Sequence, residues 1–176
     1  MLMGLTRQLG GALLLCGLLF SVGARAAETQ PALSSEEQAR YLSELKRLYM
    51  TSDERKALFA HANSLLSTYA LSAGYQVGQA DRRDLRYQLS LARPGELMLR
   101  EESRAANGTG VAVHNRLLPV FGVDPSISYE CPRGGISCTF NAPGSNAPLL
   151  TIVRDVKGAG ELAKALSFLI RNVQKG

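Results

Sequence analysis

Residues 85–99 read LRYQLSLARPGELML, and this stretch decides the fold class. An apolar side chain stands at every second position from Leu85 to Leu91, with polar side chains between, as in a strand with one buried and one solvated face. Pro94 and Gly95 then form a tight turn, because proline presets φ and glycine accepts a positive φ. The alternation resumes after the turn. The stretch therefore predicts an antiparallel hairpin.

A second hairpin is predicted around Cys131 and Cys138. Apolar and polar residues alternate on both sides, and Gly134-Gly135 lies midway, where a two-residue hairpin turn would lie. In that register the two cysteines face each other at a distance that a disulfide can span. A redox pair favours two residues between its cysteines, and a structural zinc site needs four ligands. We therefore predict a structural disulfide and no metal site.

Helical periodicity flanks the strands on both sides. Upstream, residues 35–50 and a second run ending at Gly74 carry apolar stripes, and each follows a capping box, beginning at Ser34 and at Thr51. Downstream, the apolar stripe of residues 162–173 predicts a C-terminal helix. This order predicts an α+β fold: an N-terminal helix pair, an antiparallel sheet with a disulfide-stapled hairpin, and a C-terminal helix packed on the sheet.

The first 26 residues have the three-part layout of a secretory signal peptide. Arg7 supplies a positive charge, residues 9–22 are apolar and uncharged, and Ala24-x-Ala26 places small residues before a cut. We predict cleavage after Ala26. A cut after Ala27 and an uncleaved membrane anchor are the alternatives.

After cleavage, residues 27–34 are predicted to be a flexible leader and residues 35–176 a single α+β domain. Three leucines precede Cys16 where a bacterial lipoprotein signal has a small residue, so lipidation at this cysteine is disfavoured. No apolar run after residue 27 reaches the roughly 20 residues of a membrane-spanning helix. We expect a periplasmic or secreted bacterial protein, whose remaining cysteines meet an oxidising environment.

The composition excludes several classes of protein. Of the 176 residues, 45% are hydrophobic and 20% are charged, which is the balance of a globular domain rather than a disordered chain. Removing residues 1–26 takes away Arg7 and Arg25, so 18 basic residues face 15 acidic ones and the net charge falls from +5 to +3. No run of five or six like charges occurs, so nucleic acid is not an expected partner.

Motifs for catalysis are missing from the sequence. It has no nucleophile elbow, no zinc-protease helix and no phosphate loop, and we predict neither a catalytic residue nor a cofactor. The two histidines, His61 and His114, show no spacing that pairs either with a serine or a carboxylate. The alternative is a small envelope enzyme with a dispersed acid/base site at His114. A cleft holding His114 and two acids would favour that enzyme, and an open sheet face would favour binding.

One surface feature of the C-terminal helix suggests a partner. Lys164, Phe168, Arg171 and Lys175 follow each other at spacings of four, three and four, so three cations flank an aromatic ring. Exposed, such a group docks onto a partner; the alternative is a solvated basic face whose phenylalanine lies at the edge of the core. We predict an exported protein that binds a protein partner in the cell envelope, as an adaptor, a chaperone-like factor or an inhibitor.

Overall fold

The computed structural model of the protein describes residues 28–29 and 34–176. The predicted signal peptide, its cleavage site and Cys16 lie outside these residues. The elements are, in chain order, β1 (Glu28–Thr29), α1 (Ser35–Leu48), α2 (Glu54–Thr68), a 3₁₀ turn (Ala73–Tyr75), β2 (Arg83–Arg93), β3 (Glu96–Ala105), β4 (Val111–Pro119), β5 (Ser128–Glu130), β6 (Ser137–Asn141), β7 (Pro148–Val153) and α3 (Val156–Gln174). The mixture of helices and antiparallel strands confirms the α+β class.

The strands form two antiparallel sheets rather than the one sheet that the sequence predicted. One has the order β1-β5-β6-β7 and the other the order β2-β3-β4. The chain that leaves α2 runs between them, and there Ala70 bridges Ile152 of β7 while Leu71 bridges Leu85 of β2. The two sheets are therefore joined through the backbone of two residues, which we call the junction.

The helix starts are set by side-chain caps. Ser34 and Glu37 form the predicted capping box at α1: Ser34 Oγ accepts from Glu37 N at 3.3 Å, and Glu37 Oε2 accepts from Ser34 N at 2.8 Å. At α2 the cap is Asp53, whose Oδ1 accepts from Lys56 N at 3.0 Å. The prediction of Thr51 as the cap of α2 was therefore wrong by two residues.

The end of α2 also differs from the prediction. The helix stops at Thr68, well before Gly74, because the next residues enter the sheet: Val153 N donates to Tyr69 O at 2.9 Å. Beyond the junction the side chain of Gln76 hydrogen-bonds both the N–H and the C=O of Arg83. These hydrogen bonds close residues 76–83 into a loop.

The core lies between the helices and the sheets. α3 packs against α2 and contacts β5 and β6, so the C-terminal helix covers part of the four-stranded sheet. Gly158 of α3 lies against the ring of Tyr69, the residue that follows α2, and an added Cβ would stand 2.3 Å from Tyr69 Cζ. Fully buried side chains from all these elements form one cluster, including Leu58, Leu66, Phe140, Ile152, Leu162 and Leu169.

The cysteine hairpin has the predicted register. β5 pairs with β6 so that Tyr129 faces Phe140, and continuing this register sets Cys131 opposite Cys138. The two cysteines form a disulfide, with their Cα atoms 4.3 Å apart. Cys138 is completely buried, and the rings of Tyr129 and Phe140 stack at 5.4 Å. The bond therefore closes the hairpin at the edge of the core.

Candidate binding surface

The β2 edge of the three-stranded sheet is covered by other parts of the chain. Asn63 of α2 places its side-chain amide against Leu89, with Nδ2 donating to Leu89 O at 2.9 Å and Oδ1 accepting from Leu89 N at 2.7 Å. Further along the strand, Leu85 N donates to Leu71 O at 2.8 Å. Outward backbone groups of Leu85 and Leu89 thus find partners within the protein.

The opposite edge, formed by β4, has no neighbour among the described strands. Val120 N donates to Gly95 O at 2.9 Å, in the register that pairs Glu96 with Pro119. Bonded and non-bonded pairs alternate along antiparallel strands, so the even-numbered residues of β4 bond to β3. The N–H and C=O groups of the odd-numbered residues point outward, and these residues are Val111, Val113, Asn115 and Leu117. We call this row of outward groups the β4 edge.

Apolar side chains accompany the β4 edge. Val111 and Val113 are each 42% exposed, and Leu117 is 56% exposed. All three lie on the same face of the sheet, because side chains two residues apart on a strand share a face. Phe121, just after β4, is 57% exposed and lies against Gly95 of the β2–β3 turn. An unpaired strand that exposes apolar side chains is a template for pairing with another chain.

The two faces of the three-stranded sheet differ sharply. One face carries Leu89, Leu97 and Leu99, which are at most 4% exposed and belong to the core. The other face carries Arg86, Gln88, Arg100 and Glu102 from β2 and β3, and Val113 from β4, in the same cross-strand rows. We call this second face the open face. It lies beside α2 and forms the wall of a cleft of about 390 Å³.

Polar contacts fix the sheet to β7 on the core side. The hydroxyl of Tyr87 accepts from Thr151 N at 3.4 Å, and burial, with the nearby Glu101 carboxylate, raises the pKa of Tyr87 to about 12. Arg116 of β4 donates to Pro148 O at 3.0 Å and to Glu101 Oε2 at 3.3 Å. The tyrosine therefore stays protonated at physiological pH, and these contacts hold β4 in place although no described strand pairs with its outer edge.

The four residues predicted to bind a partner lie where α3 meets α1. Phe168 is only 8% exposed, and its ring centroid is 4.9 Å from that of Tyr41. Lys164 Nζ stands 4.2 Å from the Tyr41 ring centroid, and Arg171 Nη1 donates to Gln38 Oε1 at 3.2 Å. Lys175 follows at the exposed end of the helix. Phe168 is thus packed at the core edge, and a docking role for the group stays a prediction.

The two histidines lie in different surroundings. His114 is exposed on β4 opposite Glu101, whose carboxylate is bound by Arg116. It lines neither the cleft beside α2 nor the depression next to it. His61 is half-buried with its Nδ1 3.2 Å from the Tyr49 hydroxyl, and burial lowers its pKa. The cleft with His114 and two acids that would favour an enzyme is not found among these surfaces.

Two kinds of feature are absent from the described part of the chain, a metal-binding cluster and a membrane-spanning helix. Within residues 28–29 and 34–176, no group of three or more His, Cys, Asp or Glu side chains is arranged to hold a metal ion. No helix in the same residues has both the length and the hydropathy needed to cross a membrane.

The sequence did not identify the β4 edge as a functional surface. The apolar character of residues 111–120 indicates a strand, but the position of that strand at the end of a sheet depends on the fold. Comparison of the chain with protein-family models, curated proteins and solved structures gave no match. The function of the protein must therefore be inferred from the geometry of its surfaces.

Proposed function

We propose that the protein acts by binding in the periplasm or outside the cell, and that it takes an extended segment of a partner polypeptide as an added strand on the β4 edge. The observation that carries the proposal is the contrast between the two edges of the three-stranded sheet. Asn63 and Leu71 cover the β2 edge, whereas no described residue covers the outward groups of Val113, Asn115 and Leu117.

Strand addition suits this edge for two physical reasons. Main-chain hydrogen bonds to the outward N–H and C=O groups supply affinity that does not depend on the partner's sequence, and pockets or patches beside them supply selectivity. Here the neighbouring patch is apolar, because Val113 and Leu117 are exposed on the open face. The expected partner segment therefore carries apolar side chains at alternate positions, facing these two residues.

The cellular location belongs to the proposal and rests on chemistry. The disulfide between Cys131 and Cys138 is the kind of bond that persists in oxidising compartments. The predicted signal peptide of residues 1–26 would deliver the chain there. An exported protein with an accessible strand edge fits the role of an adaptor, a chaperone-like factor or an inhibitor, each of which acts by holding another polypeptide.

Selection of binding peptides tests the proposal. Random decapeptides displayed on phage are selected against residues 27–176 and then measured by fluorescence polarisation on the wild type and on Val113→Pro. Proline at 113 removes an outward N–H and leaves the β3–β4 bonds, which the even-numbered residues make. We expect peptides with alternating apolar residues whose affinity falls at least tenfold in the variant.

The controls separate loss of pairing from loss of fold. Val113→Thr keeps the outward N–H and a β-branched side chain, so it should retain most of the affinity. Leu117→Lys leaves every backbone donor in place but adds a charge to the edge, and it should weaken binding. Thermal unfolding of each variant reports its fold. Peptides that bind Val113→Pro and Leu117→Lys as tightly as the wild type would refute strand addition.

A further inference from the structure

The open face and α2 enclose a cleft that the proposed strand addition does not use. Asn63, Leu66, Ser67 and Ala70 line it on the helix side, and Arg86, Gln88, Arg100 and Glu102 line it on the sheet side. A depression of about 270 Å³ continues it toward Asp84 and Arg104, and Arg86 and Glu102 line both. The cleft beside α2 has a volume of about 390 Å³, and we call this cleft together with the depression the arginine cleft.

The acids of the arginine cleft are already engaged by other groups of the protein. Glu102 accepts from Arg100 Nε at 2.9 Å, and the same carboxylate lies 2.9 Å from Arg100 Nη2. Asp84 Oδ1 accepts from Ala73 N at 2.8 Å, at the 3₁₀ turn. Glu102 is therefore paired with Arg100, whereas Asp84 accepts from a neutral N–H and keeps its negative charge opposite Arg104 on the neighbouring strand.

Arg86 and Arg104 are the cations left over. Neither side chain makes a hydrogen bond or an ion pair with any residue in the described part of the chain. Arg86 faces Glu102 across the strands, so Arg104 is its diagonal neighbour on the same face, and such neighbours lie about 7–8 Å apart. Against the single negative charge of Asp84, which faces Arg104, the two arginines leave one positive charge that an anion would neutralise.

Neutral donors complete the lining. The Ser67 hydroxyl and the Gln88 side-chain amide, on opposite sides of the cleft, have no hydrogen-bond partner among the described residues. Leu66 and Ala70 add apolar surface beside them. The cleft therefore combines cations, uncharged hydrogen-bonding groups and a small apolar wall, and its volume lies at the low end of the range of ligand pockets.

We propose that the arginine cleft binds a small organic anion, in which Arg86 and Arg104 hold a carboxylate or phosphate group and Ser67 and Gln88 hydrogen-bond the attached body. A guanidinium group matches the oxygens of either anion through two parallel N–H bonds. The cleft beside α2 has room for a body the size of one sugar ring. The depression also borders on Val111 of the β4 edge. The cleft beside α2, which Ser67 and Gln88 line, shares no residue with that edge, so binding there does not depend on strand addition.

Titration with matched sugars tests the site and distinguishes the two anions. Glucose 6-phosphate and glucuronate carry a phosphate or a carboxylate on the same ring, glucose carries neither, and inorganic phosphate has no ring. Each is added to ¹⁵N-labelled residues 27–176, and amide shifts are followed by NMR. We expect saturable shifts at Ser67 and Gln88 with at least one of the two charged sugars, weakened by salt, and no saturation with glucose.

Variants decide whether the arginines carry the binding. Arg86→Gln and Arg104→Gln should each weaken the affinity for the charged sugar at least tenfold, while Arg133→Gln, an exposed arginine on the cysteine hairpin, should leave it unchanged. Absence of saturation with both charged sugars, or equal affinity in Arg86→Gln and the wild type, would overturn the proposal. Failure here is distinguishable from failure of strand addition, because Val113→Pro should bind the anion and Arg86→Gln should bind the peptide.

Discussion

The side-chain amide of Asn63 takes the place of a neighbouring strand at Leu89: it donates to the carbonyl at 2.9 Å and accepts from the N–H at 2.7 Å. A carboxamide has the same donor and acceptor pair as a peptide group, so it satisfies both outward groups of one strand residue. α2 is thereby fixed along β2. Among the described residues, nothing pairs with the opposite edge of the three-stranded sheet, which is that of β4.

Removing this amide should destabilise the protein. In Asn63→Ala the N–H and C=O of Leu89 lose their partners in a half-buried position, and we expect the free energy of unfolding to fall by about 1–3 kcal/mol. Urea unfolding followed by circular dichroism measures the change. Ser64→Ala, at the next and exposed position of α2, is the matched control. Equal unfolding free energies for the two variants would contradict the role of Asn63.

Gly95 is required by both its backbone and its neighbour. Its φ is +76°, and a Cβ at this position would lie 1.8 Å from Phe121 Cε2. We expect Gly95→Ala to lower the unfolding free energy by about 1–2 kcal/mol from the left-handed backbone, plus the cost of displacing the ring. Gly110→Ala, with open space and no positive φ, should be tolerated.

The steric part of the Gly95 effect can be isolated. Adding Phe121→Ala to Gly95→Ala removes the ring that meets the new methyl group, so the double variant should recover part of the loss but not the backbone strain. The measurement is a double-mutant cycle by thermal or urea unfolding. Strictly additive effects would show that the ring does not limit this position.

The disulfide should contribute to stability by restricting the unfolded chain. Cys131 and Cys138 are separated by 7 positions, and the loop-closure estimate for so short a loop is about 2 kcal/mol. Cys131→Ser should lower the melting temperature, and reductant should lower that of the wild type but not of the variant. A wild-type melting temperature that is the same with and without reductant would disprove the contribution. Cys138 is fully buried, so the remaining thiol should react with a labelling reagent only on unfolding.

His61 should make stability depend on pH. Burial is the main cause of its lowered pKa, Lys164 lowers it further, and Glu161 opposes the shift. The folded protein therefore binds the proton less well than the unfolded chain, whose histidine has a pKa of about 6.5. The stabilisation is fully present above pH 6.5 and is lost as pH falls from there through the folded pKa.

Unfolding at a series of pH values tests this assignment. His61→Gln should lose less stability than the wild type as the pH falls below 6.5. Tyr49→Phe removes the hydroxyl that hydrogen-bonds Nδ1 and keeps the imidazole buried, so it should retain the wild-type trend. If His61→Gln and the wild type lose stability in parallel over that interval, another group is responsible.

Replacing Phe168 distinguishes a ring that packs in the core from a ring that docks onto a partner. Since the ring is 8% exposed and packs on Tyr41, we expect Phe168→Ala to cost about 3–5 kcal/mol of unfolding free energy, as for other buried aromatic residues. Lys175→Ala, at the exposed end of α3, should cost little. An unchanged melting temperature in Phe168→Ala, together with lost partner binding, would instead support the exposed anchor that the spacing of these residues suggested.

The sequence predicted correctly those parts of the fold that depend on residues close together in the chain. The turn at Pro94-Gly95 and the facing positions of Cys131 and Cys138 follow from residues adjacent in sequence, and both are confirmed. The start of α2 was misplaced because Thr51 and Asp53 are both competent caps, and Asp53 is the one whose side chain accepts the helix N–H.

The candidate site depends on contacts between residues far apart in sequence. Asn63 is an ordinary polar residue of a helix until α2 lies against β2, which is 26 residues away at Leu89. Likewise, the strand from Val111 to Pro119 is an edge because β3 lies on its other side and no other described strand pairs with it. Arg86 and Arg104 become neighbours only through the pairing of β2 with β3.

Because the two sheets are joined through the backbone of only Ala70 and Leu71, we expect the amide hydrogens of the two sheets to exchange with solvent at different rates. Each sheet is a hydrogen-bonded network of its own, and cooperative opening spreads within such a network more readily than across two residues. Amide hydrogens on the even-numbered residues of β4 should therefore exchange through a partial opening of the three-stranded sheet. Those of β6 and β7 should exchange only through global unfolding. The amides that exchange most slowly should therefore lie in the four-stranded sheet, and the protected amides that exchange fastest in the three-stranded sheet.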